Sequence, residues 1–196
     1  MCQLNMDNTI VPSTITAYRI FLATPGGLDT ERQKFRDIVN SYNDIDALEK
    51  EVLFIPVGWE LTLAGVGRPQ ALINEDLKRC DFFVLVLWNR WGSPPAKGGP
   101  FTSGTEEEYT LACTLLADAA QPMRKIIVFF KTVDAVQLGD PGPQLQKVID
   151  FKKKVEEEKE RLFSTFDDVE AFTKHLHVHL AAWMREHEKG LLKKPK

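Results

Sequence analysis

The sequence predicts an α/β domain: a parallel sheet of about five strands in the order 2-1-3-4-5, with helices covering both faces. Three observations predict it. Phe82 to Trp88 is an unbroken apolar run of strand length, rich in aromatic and branched residues, and a strand with no polar alternation must be covered on both faces. Lys125 to Lys131, KIIVFFK, is a run of the same buried type. Helical spacing separates these runs from each other and from two earlier strand-like stretches. The pattern βαβαβαβ becomes a parallel sheet under the right-handed crossover rule. Tyr18 to Ala23 and Phe82 to Trp88, apolar on both faces, belong side by side at its centre. The short, polar Leu162 to Phe166 belongs at the far edge.

Taken in order, residues 1–15 carry little pattern and are expected to form a flexible tail. Tyr18 to Ala23, YRIFLA, is the first strand; it runs into Thr24-Pro25-Gly26-Gly27, which must turn. Asp29 or Thr30 can then cap a helix reaching about Tyr42. Strand, glycine turn and helix start together make a generic cradle for an anion, which assigns Thr24, Gly26 and Gly27 to binding. No Gly-Lys-Ser/Thr follows, so this is not a P-loop, and the glycines do not fit a dinucleotide fingerprint.

Glu51 to Val57, EVLFIPV, is the second strand, with Trp59 just beyond its end. A loop containing Gly65, Gly67 and Arg68 follows. Gln70 to Arg79 has apolar residues at helical spacing and a basic carboxyl end, which suits the dipole. After Phe82 to Trp88 comes a Pro/Gly loop, then a helix over Thr105 to Ala119, expected to be largely buried past its acidic first turn. Gly139-Asp140-Pro141-Gly142-Pro143 breaks the chain beyond the fourth strand. Leu145 to Arg161 is a helix whose KKKVEEEKER block reads as a solvated face. Asp167 or Asp168 caps the last helix, striped by Val169, Phe172, Leu176, Leu180 and Trp183. Residues 190–196 read as a tail or linker, leaving 16–189 as one domain.

With 196 residues, 43% of them hydrophobic, the chain can bury one sizeable core. A net charge of -3 supplies no basic field, so nucleic acid is not expected as a partner. Cys2, Cys80 and Cys113 are odd in number and widely spaced, which suggests neither a disulfide framework nor a zinc site. A reducing, cytoplasmic setting is expected. No apolar run approaches the roughly 20 residues needed to span a bilayer, and the first residues lack a basic-then-apolar leader, so no membrane is expected either.

In open α/β sheets ligands sit beyond the carboxyl ends of the strands, which directs attention to Asn89, Arg90, Trp91 and the loop to Glu108. Ser103-Gly104-Thr105-Glu106-Glu107-Glu108-Tyr109 carries two readings. In one it is a capping box, in which a Glu three residues after a Ser or Thr returns a hydrogen bond to the cap. If Ser103 caps, Glu106 closes the box and Glu108 is left over; if Thr105 caps, Glu108 is consumed. In the other, Glu108 is a catalytic carboxylate. Trp59, Trp88 and Trp91 can stack on flat bases or simply pack in the core. Arg68 and Arg90 can pair with a pyrophosphate or with carboxylates of the chain itself. His175 and His179 share a helical face without an acidic third ligand, so no metal is assigned.

The stretches YRIFLATPGGLDTERQKF, GRPQALINEDLKRCDFFVLVLWNRWG, SGTEEEYTLA and KIIVFFK together resemble the TIR-like domains of unknown function that often open STAND-type NTPase proteins. Those domains resemble TIR domains and nucleoside deoxyribosyltransferases, which share a flavodoxin-like sheet. In the transferases the motif is Ser-Gly-Thr, two residues, then a catalytic Glu, which matches Ser103, Gly104, Thr105 and Glu108. TIR enzymes that cleave NAD also place a catalytic Glu early in the helix after the central strand. The resemblance therefore implies hydrolysis of the N-glycosidic bond of NAD or a related nucleotide, with Glu108 catalytic and Ser103 and Thr105 in the binding set. NAD enters as substrate, and no cofactor is implied. It further implies an effector or sensor role in innate, antiviral defence and activity that depends on self-association. The alternative from another class is a catalytically silent interaction domain that assembles or recruits partners, with Glu108 only a cap.

Overall fold

The computed structural model describes residues 14–58, 69–97, 99–158 and 163–192. Trp59 and Arg68, both assigned to binding from sequence, lie outside the described residues, as do Gly65, Gly67, residues 1–13 of the amino-terminal tail and residues 193–196. Strands β1 (Thr16–Ala23), β2 (Val52–Gly58), β3 (Phe82–Leu87), β4 (Lys125–Lys131) and β5 (Phe163–Phe166) form one sheet in the order β2-β1-β3-β4-β5. Every pairing is parallel, with Ile20 opposite Phe82, Val84 opposite Ile127 and Val128 opposite Phe163. The expected fold class and strand order are those observed.

The double-sided burial of β3 follows from its sequence. Phe82, Val84 and Val86 enter one core layer and Phe83, Leu85 and Leu87 the other, because successive residues of a strand point to opposite faces. The first layer is closed by α1 (Asp29–Tyr42) and α6 (Val169–Glu188), through Phe35, Val39, Phe172, Leu176, Leu180 and Trp183. The second is closed by Leu77 of α2 (Pro69–Leu77), Ala112 and Leu115 of α3 (Gly104–Ala117), and Leu145 and Val148 of α5 (Pro143–Glu158). Between β4 and α5 in the chain, α4 (Ala135–Gly139) is a short helix capped by Asp134, which accepts from the Gln137 backbone. No sequence pattern marked it. Among the described residues no helix is long and apolar enough to cross a membrane.

Two local expectations differ from the structure, the cap of α1 and the burial of α3, while α1 ends at Tyr42 as expected. Helix α1 is entered from Leu28 with no side-chain cap; Asp29 instead pairs with Arg32. Its carboxyl end runs on through a π turn over Asn43–Ala47 and a 3-10 turn over Leu48–Lys50, where the buried Asn43 amide donates to the Phe54 carbonyl and accepts from its N–H. Helix α3 is not largely buried either: Thr110 and Thr114 are exposed, their hydroxyls donating to the carbonyls of Glu106 and Thr110. A helix on one face of a sheet buries only a stripe, so the side turned from β1 and β4 stays wet.

Candidate functional site

The loops after β1 and β3 meet above the centre of the sheet. Thr24, directly after β1, accepts at its hydroxyl from Arg32 Nη1 at 3.0 Å, and the same nitrogen reaches the Pro25 carbonyl at 3.4 Å. Arg32 thus holds the turn, and Thr24 is a buried support, not an open ligand contact. Gly27 has φ +92°, a conformation that L side chains rarely adopt, and faces the Arg90 stem.

The β3 loop is clamped from the far side. Gln144, at the start of α5, accepts at Oε1 from the N–H groups of Trp91 and Gly92, each at 2.9 Å, and donates back to the Gly92 carbonyl at 3.2 Å. Trp91 is 5% exposed, packs on Phe151 at 5.4 Å between centroids, and donates its indole N–H to Thr102 Oγ1 at 2.7 Å. It packs into the core beneath the loop and has no open face for a flat base. Trp88 donates to the Thr132 carbonyl, and the Lys131 ammonium lies 4.5 Å from its ring centroid.

Gly26, Asn89, Arg90, Gly92, Ser93 and Gln144 line a cleft of about 510 Å³. Asn89 donates to Gln137 at 3.3 Å. Arg90 is exposed and, among the described residues, makes neither a hydrogen bond nor an ion pair. Of the residues assigned to binding, the structure therefore brings Gly26, Asn89 and Arg90 together around one opening.

Below the same loop, Ser103 caps α3. Its hydroxyl accepts from the Glu106 N–H at 3.0 Å, and the Gly104 N–H donates to the Ser93 carbonyl at 3.1 Å, tying the helix start to the cleft. Glu106 accepts from the N–H and hydroxyl of Thr102, at 2.6 and 2.8 Å, so the box closes one residue before the cap. Thr105 and Ser103 are buried. Glu108 takes no part in the box.

Glu108 is buried, and its Oε1 accepts from Gln70 Nε2 of α2 at 3.0 Å. Burial pushes its carboxyl up to about 7; the Gln70 hydrogen bond opposes this and the neighbouring Glu107 adds to it. Glu107 does more than complement the helix dipole: it too is buried and accepts from Asn74 Nδ2 at 2.7 Å. Helical rotation sends the two carboxylates to different sides, but a second helix packed against α3 takes both out of water.

Sequence reasoning missed Gln70, Asn74 and the pair of buried Glu31 with half-buried Lys131, whose ammonium donates to Glu31 Oε1 at 2.7 Å. The signal for the first two was present as polar residues four apart on an otherwise apolar helix face. Nothing local marks the third, since its partners are separated by 100 residues. The paired histidines on α6 surround Phe129. Among the described residues no group of three or more His, Cys, Asp or Glu is placed to hold a metal.

Residues 19–181 match the family described as "Domain of unknown function (DUF4062)". No curated protein matches the chain.

Proposed function

Because the chain belongs to the DUF4062 family, whose description names no activity, we propose from its own residues a TIR-like module that hydrolyses the N-glycosidic bond of NAD or a related nucleotide. The observation that carries this reading is Glu108: a buried carboxyl held by one directed hydrogen bond and taking no part in the capping box, in the first turns of the helix that follows the central strand. Cleavage of an N-glycosidic bond passes through an oxocarbenium-like transition state, which a carboxylate at the anomeric carbon stabilises or attacks. Nicotinamide leaves as a neutral base from a cationic linkage, so no general acid is required. A carboxyl titrating near 7 is drawn to its charged form by that cationic ring and gains stabilisation as positive charge develops on the sugar.

Arg90 and the backbone around Gly26 suit the pyrophosphate side of such a substrate, since the guanidinium has no partner within the described residues. The resemblance to modules that open STAND-type NTPases supports an effector or sensor role in a defence system. A second reading, a silent interaction domain, is favoured by a separate groove of about 690 Å³ between α1 and α6, where Ile45 and Val178 stand exposed.

Concentrated protein incubated with NAD, with nicotinamide release followed, separates the two. Glu108→Gln is expected to lower the rate about a hundredfold or more, while Glu106→Gln, compared at matched melting temperature, stays within a few-fold of the parent. Equal rates in both variants would remove Glu108 from the chemistry. No release by the parent, even when associated, favours the interaction module.

A further inference from the structure

We propose that Gln70 is a positioning residue for Glu108, and that position 104 is glycine because the Gln70 amide occupies the space a side chain would need. The first half rests on the reading of Glu108 as the reacting carboxylate; the second is a statement of packing. Among the described residues Gln70 is the side chain that hydrogen-bonds Glu108, and both groups are buried. Its Nε2 also reaches Asn74 Oδ1 at 3.3 Å, and Asn74 in turn donates to Glu107. Two amides, one turn apart on α2, therefore hold two adjacent carboxylates of α3 apart. An amide is suited to this place: it donates to a carboxylate without adding charge, so it fixes the oxygen while leaving the group free to act on a cation.

Gly104 completes the arrangement. Its φ is not in the left-handed region, so its backbone places no demand for glycine. A Cβ built there would lie 2.4 Å from Gln70 Oε1 and 3.3 Å from Gln70 Cδ, and its three nearest neighbours all belong to that side chain. Alanine at 104 suits the helix and must push the end of Gln70 aside. The glycine of Ser103-Gly104-Thr105 is thereby linked to Glu108 through a residue on another helix, 34 to 38 positions away in sequence, as the Gln70 pairing shows.

The test uses Gln70→Met, which keeps length and volume but cannot donate, and Gly104→Ala, which alters neither Gln70 nor Glu108. The Glu108 carboxyl is followed by carbon-13 NMR titration, identified by its loss in Glu108→Gln, alongside the pH dependence of nicotinamide release. Among the described residues the charged neighbour that acts on Glu108 is Glu107 on its own helix; from α2 it meets the Gln70 amide. Losing the donor removes stabilisation of the carboxylate, so its titration is expected to move up by about one pH unit. The acid limb of the rate profile should move with it, leaving the high-pH rate recovered. Gly104→Ala should produce a similar shift, and the double variant no more than either alone. A titration unmoved by Gln70→Met overturns the positioning role, and one unmoved by Gly104→Ala overturns the reason for the glycine. Shifted titrations in a parent that releases no nicotinamide would leave the packing link standing and remove only the enzymatic reading.

Discussion

Glu108 couples the site to stability as well as to chemistry. Its carboxyl titrates at about 7 in the folded protein against an ordinary 4.5, so the native state binds the proton more tightly than the unfolded chain. The resulting stabilisation is fully present below about 4.5 and is lost as pH rises through about 7. Above that the penalty is constant. Glutamine at this position has no charge to desolvate and can still accept from Gln70. Glu108→Gln is therefore expected to be more stable than the parent at pH 8, by about 3 kcal/mol, and nearly equal to it at pH 4. Urea denaturation at the two pH values checks this; a parent as stable as the variant at pH 8 would mean that the buried carboxylate has a compensating partner.

At the scale of the element, the connection from β3 to α3 is the part whose geometry is most demanding. Gly92 has φ +99°, and a Cβ there would meet the Ser103 side chain at 3.4 Å and Pro25 at 3.8 Å. It is the point where the β1 turn, the β3 loop and the α3 cap converge, held by Gln144. Gly92→Ala is expected to cost about 1–2 kcal/mol through the left-handed conformation alone. Gly26, with nothing within 4 Å and no such φ, should accept alanine with little change in stability. Denaturation of both variants tests the contrast, and equal costs would contradict it. The α5 charges behave as a solvated face, Lys153 with Glu157 and Lys154 with Glu158 forming exposed pairs whose worth is small.

For the whole molecule, the decisive layer is the one closed by α6. Trp183 stacks on Phe82 at 4.0 Å and 10°, joining the last helix to the central strand. Beyond it the end of α6 is tied to the amino-terminal edge of the sheet: Tyr18 hydrogen-bonds His187, Lys125 pairs with Glu186, Lys50 with Glu188, and Arg124 donates to the Leu192 carbonyl. Arg124 in turn is held by Asp81 at the entry to β3. Trp183→Ala is expected to cost about 3–5 kcal/mol, with the loss appearing as one cooperative transition because both ends of α6 belong to the same core. A separate, early melting of the helix would show that it is an independent unit.

What the sequence by itself determined was the periodicity. Apolar runs in β3 and β4 without alternation require cover on both faces, the stretches between them repeat at helical spacing, and crossover handedness leaves the parallel order that is observed. The stripe of α6 is likewise local, whereas the choice of Ser103 over Thr105 as the cap and the burial of Trp91 were decided only in the structure. The environment of Glu108 was not local. Its hydrogen bond comes from α2, its desolvation from the packing of one helix against another, and the meaning of Gly104 from the end of a side chain on that second helix. Three consecutive glutamates are equivalent in a list of residues; only a second helix, which buries Glu107 and Glu108 under separate amides and leaves Glu106 at the loop, makes them different.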